Sequence, residues 1–111
     1  GDLNYRINLP EEAVLKMIED EDWRMLYQFD QLHMAMAGQE SFKRFEEPEI
    51  SFAPTYKYDP WGTYYDEDEE GNCKRVPAWC DRVLFKAKQG LGIKVHSYNR
   101  YEILGSDHLP V

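Results

Sequence analysis

The 111 residues suffice for one domain, whose core could bury roughly two thirds of the unfolded chain's surface. Thirteen Lys and Arg against 21 Asp and Glu give a formal charge of -8, which disfavours the broad basic surface that nonspecific duplex binding needs and leaves room only for local basic patches. No apolar run approaches the ~20 residues of a membrane-spanning helix, so the sequence reads as soluble, or at most peripheral to a membrane.

The first residue is not Met, and the chain stops at Leu109-Pro110-Val111. Both ends read as cut. With no signal peptide in view, Cys73 and Cys80 read as reduced thiols of an intracellular protein.

Leu3, Tyr5 and Ile7 alternate with Asp2, Asn4 and Arg6. A strand here would put Asp2 and Asn4 on one face, roughly 6.5 Å apart. Pro10 starts a helix with Glu11 and Glu12 in its first turn, where carboxylates suit the dipole, and Val14, Leu15, Met17 and Ile18 form its buried side. After the acidic break at residues 19–22, Met25, Phe29, Leu32 and Met36 recur at helical spacing, which predicts a second helix from Trp23 to Ala37 that stops at Gly38. His33 lies beside that stripe and reads as packed or half-exposed.

Residues 41–48 read as a connection and residues 49–52 as a short strand. Thr55-Tyr56-Lys57-Tyr58-Asp59 then sets aromatic rings around a lysine, and Tyr58-Asp59-Pro60-Trp61-Gly62 has turn chemistry. The acidic run 66–71 lacks the alternation and closing glutamate of an EF-hand and reads as a solvated loop. Trp79 to Lys86 predicts a strand with Val83 and Phe85 on one face and Arg82 and Leu84 on the other. Past Gly90 and Gly92, residues 93–103 predict one or two further strands before Ser106-Asp107-His108.

Three elements carry carboxylates beside polar groups: Asp2 with Asn4, Asp81 within an apolar stretch where an uncompensated charge is costly, and Asp107 with His108. Acids, an amide and a histidine at strand ends support metal-assisted hydrolysis, zinc binding or a purely structural role in turns and caps. A zinc site from Cys73, Cys80, His96 and His108 would have spacings of seven, sixteen and twelve, which match none of the usual ligand pairs. Neither a Gly-rich phosphate loop nor a Gly-x-Ser-x-Gly elbow occurs.

Four stretches in order, Gly1-Asp2-Leu3-Asn4-Tyr5-Arg6, Pro54-Thr55-Tyr56-Lys57-Tyr58-Asp59, Arg75-Val76-Pro77-Ala78-Trp79-Cys80-Asp81-Arg82-Val83-Leu84 and Ser106-Asp107-His108-Leu109-Pro110-Val111, resemble the inositol polyphosphate 5-phosphatases. The first and last alone indicate the wider endonuclease/exonuclease/phosphatase superfamily, which includes nucleases and sphingomyelinases; the middle two narrow it. The resemblance implies an α/β fold of the DNase I type: a four-layer sandwich of two mainly antiparallel sheets flanked by helices. This chain is similar to its C-terminal half, residues 1–111, with the N-terminal half absent.

Carried onto this sequence, the resemblance implies a Mg²⁺-dependent phosphatase acting on the 5-phosphate of phosphoinositides or soluble inositol polyphosphates. Asp2 would deprotonate the attacking water, Asn4 would donate to the phosphoryl oxygens, and His108, oriented by Asp81, would contact the scissile phosphate. Asp107 would lie by the metal. Tyr56, Lys57, Lys74 and Arg75 would hold a neighbouring 4-phosphate, with Cys73 standing where a second lysine often occurs. The implied partners are the substrate, the membrane surface that presents it and the missing half of the domain, with no nucleic acid; the implied location is cytoplasmic and peripheral to membranes. Arg6, Arg82 and Trp79 read as supports, Trp79 most clearly.

Overall fold

Pro10 has extended backbone (φ -62°, ψ 153°) and opens α1, Glu11–Glu19, with its carbonyl accepting from Val14 N at 3.1 Å. This computed structural model describes all residues from Gly1 to Val111. Glu11 and Glu12 occupy the first turn of α1 as predicted, and Lys16 in the last turn pairs with Asp20 at 3.1 Å. Val14 is fully buried, with Met17 and Ile18 packed around the same core, whereas Leu15 is only half-buried.

The single helix predicted from Trp23 to Ala37 is two helices, α2 (Trp23–Tyr27) and α3 (Gln31–Ala37). Backbone bonding explains the break. Gln31 N donates to Arg6 O and Asn8 N to Phe29 O, both at 2.8 Å, so the N-terminal segment takes up groups that a continuous helix would have used. Asp30 is extended and caps α3 by accepting from His33 N at 2.8 Å, as Asp22 caps α2 through Met25 N. The apolar stripe is therefore only partly inward: Leu26 and Leu32 are buried, and Met25 is exposed. α3 does end at Gly38, and His33 stacks on Tyr27 with ring centroids 4.4 Å apart.

None of the predicted strands forms a continuous ladder. Extended segments meet instead at isolated antiparallel bridges, among them Asp2 with Asp81, Tyr56 with both Ala78 and His108, Tyr58 with Tyr65, and Glu46 with Phe85. Pro54, Pro77 and Pro110 flank the Tyr56 bridges and have no N–H to donate, which limits how far those pairings extend. Asn4 also breaks the predicted alternation. Its φ of 59° lies in the left-handed region that Asn tolerates better than most residues, and its N–H donates to Asp2 Oδ1 at 2.9 Å in a local turn. The bridges nonetheless bring residues 1–3, 78–82, 54–58 and 107–109 side by side.

The core comprises Ile7, Val14, Leu26, Ile50, Phe52, Ala78, Trp79 and Cys80. Trp79 is fully buried and satisfies its indole N–H on Phe52 O at 2.9 Å, which makes it the structural support expected of it. Of the two faces of residues 79–86, the one bearing Arg82 turns inward at this point: Arg82 is 1% exposed and Val83 46%. A charged side chain takes the inward place because its partners are already there.

Arg82 Nε and Nη2 donate to Glu47 Oε2 and Oε1 at 2.7 Å, Nη1 and Nη2 donate to Asp30 Oδ1 and Oδ2 at 2.8 Å, and Nη1 donates to Trp79 O at 3.1 Å. All five guanidinium protons are used. Tyr27 and Tyr98 hydroxyls add a 2.9 Å bond each to Glu47. Burial alone would lower the Arg82 pKa, but the hydrogen bonds and charges of Glu47 and Asp30 raise it instead. Lysine could not reproduce this fork. Arg82→Lys is therefore expected to cost about 3–5 kcal/mol, the range for breaking a buried pair, read as a lower midpoint in urea unfolding followed by tryptophan fluorescence; a shift worth under about 1 kcal/mol, the level of an exposed pair, would contradict the network's role.

Candidate active site

The Asp2–Asp81 bridge is closed by three backbone bonds: Leu3 N to Cys80 O, Arg82 N to Gly1 O, and the N-terminal amine to Arg82 O, at 2.8, 2.9 and 2.8 Å. On the other side, Leu109 N donates to Thr55 O and Tyr58 N to Asp107 O. These contacts gather Asp2, Asp81 and His108, whose ligand-type atoms lie within 4.8 Å of one another.

Asp81 Oδ2 is 2.9 Å from His108 Nδ1 and accepts from the Thr55 hydroxyl at 2.7 Å. Thr55 is fully buried, so its hydroxyl has a fixed address. With Nδ1 engaged, His108 turns Nε2 toward Asp2, whose Oδ2 is 3.8 Å away. That separation is too long for a hydrogen bond. It leaves an acceptor and a ring nitrogen facing each other across a gap that a water could bridge.

Asn4 Oδ1 accepts from Arg6 Nη2, which leaves the Asn4 amide N–H₂ as its free donor. Arg6 also lies over the Tyr56 ring at 4.7 Å, and that ring packs on His108 at 4.5 Å. Arg6 thus braces both Asn4 and Tyr56. Tyr56 stands against the histidine as well as beside Lys57.

Lys57 Nζ lies 3.7 Å from Asp66 and 3.9 Å from Asp107, and Lys74 Nζ lies 3.0 Å from Asp66. Arg75 is exposed and folds back onto the Lys74 carbonyl at 2.7 Å. Asp107 pairs with Lys57 and is outside the Asp2, Asp81 and His108 group. Sequence reasoning missed Thr55 and Asp66. Thr55 directly precedes Tyr56-Lys57 in a motif that was recognised, whereas Asp66 was merged with the acidic run that follows it.

The thiols take no part. Both cysteines are free, and burial pushes Cys80 up to about 12 and Cys73, with help from Glu11, Glu67 and Asp68, up to about 11. Both stay protonated at neutral pH, and the zinc grouping with His96 and His108 does not assemble.

The sequence profile of Endonuclease/Exonuclease/phosphatase family 2 matches residues 1–111, the entire chain. The chain belongs to this family. Among curated relatives, it is 44% identical to the type IV inositol polyphosphate 5-phosphatase 9 of Arabidopsis thaliana and 46% identical to a probable inositol polyphosphate 5-phosphatase of Schizosaccharomyces pombe. It covers 27% and 9% of their lengths, and they cover all of it. Among solved structures, the inositol polyphosphate 5-phosphatase domain of a synaptojanin, in complex with inositol (1,4)-bisphosphate and calcium, superposes with a TM-score of 0.86 at 38% identity over 98% of this chain and 30% of that one. A Cimex nitrophorin in its ferrous NO complex superposes equally well, with a TM-score of 0.87 at 32% identity over 98% of this chain and 37% of that one. The α/β fold of the family is therefore this chain's fold, and the same fold carries different chemistry in different relatives.

Within that fold, the Asp81–His108 contact fixes which ring nitrogen faces Asp2. A neutral His108 is expected as the Nδ1–H tautomer, observable in long-range ¹H–¹⁵N spectra at alkaline pH, and Asp81→Ala should convert it to a tautomer mixture. An identical tautomer in both proteins would show that Asp81 does not orient the ring.

Proposed function

We propose that this chain is the C-terminal part of a Mg²⁺-dependent phosphomonoesterase that removes the 5-phosphate from phosphoinositides, or soluble inositol polyphosphates, carrying a 4-phosphate. The observation that carries the proposal is the Asp2–His108–Asp81 alignment with a paired-lysine cluster in the adjoining segment. Similarity to named 5-phosphatases supports it. So does the neighbour's complex with inositol (1,4)-bisphosphate, a molecule that keeps a 4-phosphate and lacks a 5-phosphate.

Phosphomonoester hydrolysis places a nucleophile in line with a leaving oxygen while negative charge spreads over the phosphoryl oxygens. In the proposed roles, Asp2 is half-exposed, holds one oxygen on Asn4 N, and aims the other at the water to be deprotonated. Asn4 donates through its free N–H₂ to a phosphoryl oxygen. In its doubly protonated form His108 donates through Nε2 to another, its Nδ1–H held by Asp81, with Thr55 fixing Asp81 and the ring packed on Tyr56. Lys57, Lys74 and Arg75 give the neighbouring phosphate cationic partners, with Tyr56 beside them.

The donor set fits a hard divalent ion in kind but only partly in number. Asp107 is the carboxylate assigned to the ion, although it also lies 3.9 Å from Lys57 and outside the Asp2, Asp81 and His108 group; Asp81 is committed to His108 and Thr55, and Asp2 to the water. The remaining ligands are assigned to parts of the domain outside these residues. A bound Mg²⁺ would supply charge neutralisation at the phosphoryl oxygens. The proposed setting is the cytoplasmic surface of a membrane bearing the lipid substrate.

A second reading, a binding protein without turnover, is favoured by the nitrophorin neighbour alone. Both are tested in a protein that carries this chain with the rest of the domain, by phosphate release from a 4,5-bisphosphorylated lipid beside nicking of abasic DNA. Lipid turnover is expected, with Asp2→Ala and His108→Ala each lowering kcat by ~10²-fold or more while substrate binding persists. Binding without turnover would favour the second reading, nicking would point to a nuclease, and near-normal kcat in either variant would overturn the assigned roles.

A further inference from the structure

Asp66 opens the acidic run but does not behave like the rest of it. Glu67, Glu69 and Glu70 are exposed, and Asp68 turns back to accept from Glu70 N and Asn72 N at 2.9 and 3.0 Å. The Asp66 side chain is 14% exposed, and its two oxygens face two different lysines, Oδ1 to Lys74 at 3.0 Å and Oδ2 to Lys57 at 3.7 Å. Its backbone ties the same pair together, since Asp66 N donates to Lys57 O at 2.9 Å and Lys74 N donates to Asp66 O at 2.8 Å.

We propose that Asp66 is a positioning residue that sets selectivity for a second phosphate beside the scissile one, by holding the Lys57 and Lys74 ammonium groups on one anion-binding point. The inference rests on the 5-phosphatase reading and deepens it. Lysine is a point charge on a flexible stem, so two of them form a defined receptor only if something fixes both. Unpaired, they would also repel each other. A carboxylate shared between them removes both problems without touching substrate, and each ammonium has three protons, so donors remain for a phosphate. Lys57 has a further carboxylate in Asp107 at 3.9 Å, whereas Lys74 has an acidic neighbour only in Asp66. Lys74 therefore depends on Asp66 more than Lys57 does.

Removing the carboxylate has two opposed effects. The local charge becomes more positive, which favours any phosphate, and the lysines lose their anchor. The second outweighs the first because Lys74 is 47% exposed, where water screens an added charge while the loss of geometry is felt in full.

The test measures kcat/KM on short-chain phosphatidylinositol 4,5-bisphosphate and phosphatidylinositol 5-phosphate, in a protein carrying this chain with the rest of its domain. The wild type is expected to prefer the bisphosphate. Asp66→Asn should reduce that preference roughly tenfold, chiefly through KM, and Asp66→Glu should restore part of it. Lys74→Gln should produce a similar loss, and the double variant with Asp66→Asn should lose little more than either single one. An unchanged preference in Asp66→Asn, equal losses on both lipids, or fully additive losses in the double variant would overturn the role of Asp66. A wild type that releases phosphate from neither lipid would instead overturn the 5-phosphatase reading, and this inference with it.

Discussion

The buried guanidinium of Arg82 is the constraint on which the rest of the chain depends. It is adjacent in sequence to Asp81, so whatever fixes Arg82 also fixes the backbone that carries the His108 partner. Its partners come from far apart: Asp30 is the cap between α2 and α3, and Glu47 lies in the connection that follows α3. A carboxylate pair around one arginine is expensive to desolvate, and it is sustained here only because every proton and most oxygens have partners. The same cluster takes Tyr27 and Tyr98, whose hydroxyl pKa values are raised by burial and by Glu47, so both remain donors. The result is a polar knot that ties the helical segment to the segment bearing the site.

Charge in the site is arranged in local pairs. The chain has a net charge of -8, yet each cation assigned to phosphate has a carboxylate or carbonyl beside it, and the assigned base, Asp2, stays half-exposed. On the proposed function, an anionic protein can thus receive an anionic substrate, because what the substrate would meet is a few fixed donors rather than the average field. Asn4 shows the same economy at one residue. Its left-handed backbone turns the chain, its N–H is spent on Asp2, and Arg6 takes its carbonyl oxygen, so only its amide protons face outward.

The sequence revealed α1 through its Pro10 start, its first-turn acids and its apolar spacing, and its four ordered motifs carry the residues that the fold brings together, Asp2, Asp81 and His108. It misjudged the second helix because Met25, Phe29, Leu32 and Met36 keep helical spacing across a break that is imposed from outside, by Arg6 and Asn8 bonding to residues 29–31. Periodicity reports side-chain faces and is blind to such backbone competition. Which strand face turns inward was illegible for a related reason: alternation separates Val83 from Arg82, but the Asp30–Glu47 pair that draws Arg82 inward is assembled from residues 35 and 52 positions away. Thr55 and Asp66 were hidden because their meaning lies wholly in tertiary partners, Asp81 for one and two lysines for the other.

The central proposal is that this chain holds the base, the oriented histidine and the second-phosphate receptor, while most of the metal shell is contributed from elsewhere in the domain. Its apolar residues Leu91, Ile93, Val95, Ile103 and Leu104 are exposed. The most direct test expresses residues 1–111 and the remainder of the domain separately and measures phosphate release from a 4,5-bisphosphorylated lipid, alone and mixed, with and without Mg²⁺. The account predicts metal-dependent turnover only in the mixture; metal-dependent turnover by the 111-residue chain alone would contradict it.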